Sequence, residues 1–197
     1  MVKKVKKAVF RKLDEAHQRV LEWFFAYPTK WINLSDLAKE VEVSKSTASA
    51  VVNYLIEVGF LKKEVLGKTW RISCEQEHPF NVIRKIPYNL QKVYESGVIQ
   101  SILQKVDAGE IPNPQTIILF GSYRQGVDDE TSDVDVAVEV VDNKDLRVIK
   151  LMEISKMGYR KNVPVNLHIF SRNRIDLNLF ANIANGIVLQ GFLEVRI

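Results

Sequence analysis

Two aspartates one residue apart constrain this chain more than any other feature. They lie in Thr131-Ser-Asp-Val-Asp-Val-Ala-Val138. Side chains at i and i+2 of a strand share a face, so Asp133 and Asp135 project together with like charges close enough to repel. Val134, Val136 and Val138 take the opposite face. The expected element is a half-buried strand with its acids at the edge of a core. A divalent cation resolves the repulsion, and two hard oxygen ligands with room for phosphate oxygens and water describe a magnesium site.

Upstream stands an apolar run, Ile117-Ile-Leu-Phe120, which leads straight into Gly121-Ser122. Glycine lets backbone amides approach a phosphate closely, and the serine adds a hydroxyl donor. A helix starting there would turn its positive end to the anion. Phosphate and metal would then share one pocket.

The apolar strand, Gly-Ser, a spacer from Tyr123 to Ser132 and Asp-x-Asp together resemble the polymerase-β superfamily of nucleotidyltransferases, its compact minimal branch in particular. The resemblance implies a nucleoside triphosphate as substrate or ligand, with Mg2+ or Mn2+ held by Asp133 and Asp135. It implies transfer of a nucleoside monophosphate to a hydroxyl, assisted by a third carboxylate on a nearby strand. That position falls on Pro164-Val-Asn-Leu-His-Ile-Phe170, which has no acid. Asn166 occupies it, and an amide can ligate magnesium but cannot accept a proton. His168, on the same face, is the available base, with a purely structural histidine as the competing reading. The branch places a small residue and then arginine before its second glycine; here the order is Arg124, Gln125, Gly126, so Arg124 is the expected phosphate-side cation. Asp128, Asp129 and Glu130 read as a solvated acidic loop, and Glu139 lies too far along its strand to serve.

Around these motifs, strands are expected at Thr116 to Phe120, Val134 to Val141 and Val163 to Phe170. Helices are expected at Leu146 to Met157 and Ile175 to Asn185. The result is an α+β domain with a small mixed sheet over residues 113–197, preceded by a helical connector over residues 76–112, with helix from about Tyr88 to Val106.

Residues 1–75 differ in kind. Leu13, Ala16, Val20 and Phe24 repeat at helical spacing, and Pro28 closes the run. Asn33 and Asp36 mark a short helix from Ser35 to Val41, and Ser44 is the natural N-cap of a third from Lys45 to Val58, ended by Gly59. From Phe60 to Ser73 the alternation fits a hairpin turning near Gly67. Helices and hairpin in this order resemble a winged helix-turn-helix domain, which implies that the third helix enters a DNA major groove and the hairpin touches the backbone. Ala48, Val51, Val52 and Leu55 take the inward face. That leaves Lys45, Ser46, Ser49 and Asn53 as groove contacts, with Lys68 and Arg71 on the wing. No arginine faces outward on the third helix, so base readout is thin. Charge supports a polyanion partner: residues 1–75 carry 14 Lys/Arg against 9 Asp/Glu, residues 76–197 carry 14 against 15. A homodimerisation or docking module is the alternative.

Cys74 is the single cysteine, so no intrachain disulfide forms. Neither a signal peptide nor a membrane-length apolar run is present, which gives the expectation of a cytoplasmic protein with no membrane association. Three functions fit this organisation. The first is a DNA-binding nucleotidyltransferase. The second is a DNA-binding transcriptional regulator whose nucleotide-sensing domain has lost turnover. The third is an antitoxin-like partner of a small helical protein, because minimal nucleotidyltransferases are often paired with one.

Overall fold

A computed structural model of the chain describes residues 12–67 and 69–194. Lys68 lies outside the described residues, as does the basic stretch before Lys12. The chain divides into two compact units, Met1–Lys85 and Ile86–Ile197.

In the first unit three helices precede a hairpin. The helices are α1 (Glu15–Ala26), α2 (Leu34–Glu40) and α3 (Lys45–Glu57), and β1 (Leu61–Leu66) pairs antiparallel with β2 (Thr69–Cys74). Each helix starts on a side chain that satisfies an otherwise orphaned amide: Asp14 accepts from the His17 N–H, Asn33 from Asp36 and Ser44 from Thr47. Helix α3 stops at Gly59, where φ is +85° and the Phe60 N–H returns to the Leu55 carbonyl. One short bridge, Ile32 to Ile72, adds a third stretch of chain to the hairpin. Val20, Phe24, Leu37, Ala48, Val52, Leu55, Phe60 and Ile72 are all buried and form the core.

The second unit is a five-stranded sheet in the order β5-β6-β4-β3-β7. Its strands are β3 (Thr116–Phe120), β4 (Val134–Glu139), β5 (Arg147–Met157), β6 (Arg160–Phe170) and β7 (Ile187–Gly191). All pairings are antiparallel except β4 with β6. Val134, Val136 and Val138 lie on one face with Val165, Leu167 and Ile169, and there they pack with Val93, Val98 and Ile102 from α4 (Ile86–Glu95) and α5 (Val98–Asp107). On the other face Ile118, Phe120, Ala137 and Phe170 meet Ile183 of α7 (Leu177–Ala184). The sheet is thus sandwiched, and each strand's alternation is read by a different helix layer.

The helical content expected from Tyr88 to Val106 is present as α4 and α5, which meet at Gly97 with φ +80°. One element departs from the sequence reading. The helix expected over Leu146 to Met157 is strand β5, hydrogen-bonded to β6 along its length. A register shift between Lys150 and Met152 inserts one extra residue, Leu151, into β5. That bulge resets the in-out phase midway, so the apolar residues fall three and four apart as on a helix although the backbone is extended.

Candidate functional site

The end of β3 and the start of β4 lie side by side, with Phe120 opposite Asp135 in the antiparallel register. Directly after β3 the chain turns through Gly121, at φ +71°, into the single turn α6 (Gly121–Gln125). A β-carbon at Gly121 would lie 2.8 Å from Asp135 Oδ2. No other residue lets the turn approach the acid this closely, and none takes that φ without strain. Ser122 follows as the second residue of α6, half-buried. The Gly-Ser turn and the acid pair are therefore one site.

Asp133 immediately precedes β4, and Asp135 is its second residue. Both are half-buried. Parallel pairing sets Asp135 beside Asn166 of β6, and the alternation of β6 brings Asn166 and His168 to the acids' face. Asn166 Nδ2 donates to Asp133 Oδ2. His168 Nε2 lies 3.1 Å from Asp135 Oδ1, its ring edge-on to Phe120 with centroids 4.9 Å apart. His168 Nδ1 is buried without a hydrogen-bond partner. An orphan nitrogen is tolerable as a bare lone pair and costly as an N–H, so the ring proton sits on Nε2 and is given to Asp135. The nitrogen able to take a proton is thereby turned away from the acids.

Arg124 stands on α6, and its Nε is buried without a partner. A cation with an unused buried donor on the helical turn that Gly121 begins is polar content a phosphate group would complete. Among the described residues no set of three or more His, Cys, Asp or Glu side chains comes together as a metal cluster. A divalent cation here would rest on Asp133 and Asp135 and draw its remaining oxygens from phosphate and water, which is how magnesium is commonly held.

The spacer between Ser122 and Asp133 is pinned by residues with no signature in the sequence. Arg160, buried at the start of β6, donates Nη1 to the Tyr123 hydroxyl and Nη2 to the Ser132 carbonyl at 2.5 Å. It thus grips the loop at the residue after Ser122 and at the residue before Asp133. Burial pushes the Tyr123 phenol well above its ordinary range, so it remains a neutral hydroxyl. Asn89 of α4 donates Nδ2 to Asp128 Oδ1 at 2.7 Å and to the Tyr123 carbonyl at 3.0 Å. Asp128 is 3% exposed, so the solvated acidic loop expected at 128–130 is not solvated at that residue. The Thr131 hydroxyl and amide, with those of Ser132, converge on Asp129 Oδ1 and hold its carboxyl below the usual range. Glu139 lies at the far end of β4, buried and held by the Arg172 guanidinium at 2.8 and 2.9 Å.

In the first unit the inward and outward faces of α3 divide as the spacing predicts. Ala48, Val51, Val52 and Leu55 are buried, whereas Lys45, Ser46 and Asn53 are exposed and Ser49 is half-buried. Ser46 shares a 2.8 Å hydrogen bond with the capping Ser44. Arg71 is exposed on β2, with its guanidinium 4.8 Å from the Trp31 ring centroid. No described helix is long and apolar enough to cross a membrane.

The chain matches no curated protein and no solved structure. Residues 96–187, which hold α5, the whole Gly-Ser and Asp-x-Asp constellation and β6, match the family model of the nucleotidyltransferase domain.

Proposed function

We propose that the second unit binds a magnesium-complexed nucleoside triphosphate on Gly121, Ser122, Arg124, Asp133 and Asp135, and that the first unit is a winged helix-turn-helix domain that binds duplex DNA. The observation that supports the nucleotide reading is the Gly-Ser turn closed against Asp135, where a β-carbon at Gly121 would lie 2.8 Å from the carboxylate. The bound metal would supply charge neutralisation of the phosphates. The chain's own residues orient the nucleotide: the turn offers backbone amides, Arg124 a guanidinium, and Asp133 and Asp135 anionic oxygens. Nucleotidyl transfer to a hydroxyl acceptor, with pyrophosphate released, is the chemistry this reading assigns to the site.

A second reading, a nucleotide-sensing regulator with little turnover, is favoured by Asn166 and His168. Both residues donate to the acids, so neither is placed to accept the acceptor's proton. Thermal unfolding of the full chain with magnesium and a non-hydrolysable triphosphate tests the shared part. At a ligand concentration about 100 times the dissociation constant, stabilisation of about 2.7 kcal/mol is expected. Asp133→Asn with Asp135→Asn should abolish it, and an unchanged shift in that double variant would place the nucleotide elsewhere. Incubation with α-labelled triphosphates divides the two readings. Label passing to protein, RNA or a small hydroxyl compound supports transfer, and binding without any labelled product supports the sensor.

A further inference from the structure

The two acids together offer four carboxylate oxygens, and two of these accept hydrogen bonds from β6. Asp133 Oδ2 accepts from Asn166 and Asp135 Oδ1 accepts from His168. The direction of each bond follows from chemistry. Were the Asn166 amide turned over, its oxygen would face a carboxylate oxygen, so Nδ2 must face Asp133. The orphaned Nδ1 of His168 fixes the ring proton on Nε2. What remains is one oxygen from each acid, Asp133 Oδ1 and Asp135 Oδ2, and the second of these faces the Gly121 turn.

We propose that this site binds a single divalent cation, the one that travels with the triphosphate, and has no place for the second ion on which two-metal nucleotidyl transfer depends. The proposal rests on the nucleotide reading above and concerns how many ions the site accepts. A second cation beside the first would call for further anionic oxygens. The side chain that β6 sets beside Asp135 is instead a neutral amide, turned to Asp133 as a donor. Asn166 and His168 act as positioning residues that cap the spare oxygens and let two close carboxylates coexist without a metal.

The test counts ions rather than products. Full-length protein, saturated with a non-hydrolysable triphosphate, is titrated with Mn2+ and followed by electron paramagnetic resonance. Ions retained by Asp135→Asn are subtracted as background. The expected result is one manganese per bound nucleotide with the spectrum of an isolated ion. Asn166→Asp, which restores an anion and removes the donor, should gain a second ion and show an exchange-coupled pair. Two coupled ions in the unaltered protein would overturn the proposal, and so would an Asn166→Asp protein that folds and stays at one. Should that variant not fold, the count in the unaltered protein decides alone. If neither manganese nor nucleotide binds in a manner that Asp135→Asn abolishes, the nucleotide reading itself falls, an outcome distinct from finding two ions.

Discussion

At the scale of single residues, the site depends on one absent side chain. Gly121 combines a left-handed φ with a β-carbon position 2.8 Å from Asp135 Oδ2, so Gly121→Ala meets backbone strain and a steric push on the acid together. A loss of about 1–3 kcal/mol is expected in denaturant unfolding. The thermal shift with magnesium and triphosphate should disappear as well. A variant that keeps the full shift would show that the turn does not touch the ligand. Tyr123→Phe probes the loop clamp: it leaves the Arg160 Nη1 donor unpaired beside a buried ring. The expected cost is about 1–3 kcal/mol. Calorimetry of the pair would refute the clamp if the two proteins melted together.

Among elements, the close of the first unit is where pH acts. His78 is buried between Phe60 and Phe80, with its Nε2 3.0 Å from the Val58 carbonyl and its Nδ1 accepting from the Phe80 N–H. Both nitrogens are used as a neutral ring uses them, and burial lowers its pKa below the ordinary value of 6.5. The unfolded chain therefore takes up the proton first as pH falls. Stability should decline below about pH 6.5, by at most about 1.4 kcal/mol per pH unit, until the folded ring also titrates. His78→Gln should flatten that slope, and a slope that persisted in the variant would assign it to other groups. Elements of this kind were unequally legible in the sequence. The capped helices, the hairpin and β3, β4 and β6 carry local signals, namely cap residues, Gly67 and clean alternation. Strand β5 hid behind its Leu151 bulge, because a change of phase within a strand mimics the spacing of a helix. For the site, the acids and the glycine turn were legible because their spacing is local. Arg160 and Asn89 were not, since a lone buried polar residue gains its meaning only from a partner 28 to 39 positions away.

For the whole molecule, charge is divided between the parts. The positive excess of residues 1–75 comes from Lys3, Lys4, Lys6, Lys7 and Arg11, since residues 12–75 carry 9 Lys/Arg against 9 Asp/Glu, and the exposed residues of α3 are Lys45, small side chains, Asn53 and Glu57. A front segment of this charge should bind duplex DNA through phosphates, with affinity that falls steeply as salt rises and differs little between sequences. Lys45→Glu with Arg71→Glu should weaken binding uniformly and flatten the slope of log affinity against log salt by about 2. An affinity indifferent to salt would instead favour the docking module. A last consequence follows from the parallel pairing of β4 with β6. The acids emerge early from the ribosome, but the donors that quiet them are 33 residues further on and arrive only when β6 lays itself along β4. A nascent or truncated chain that stops short of Asn166 would carry two bare carboxylates on an unfinished sheet. The site proposed to hold a nucleotide is thus completed only late in synthesis, when β6 pairs with β4.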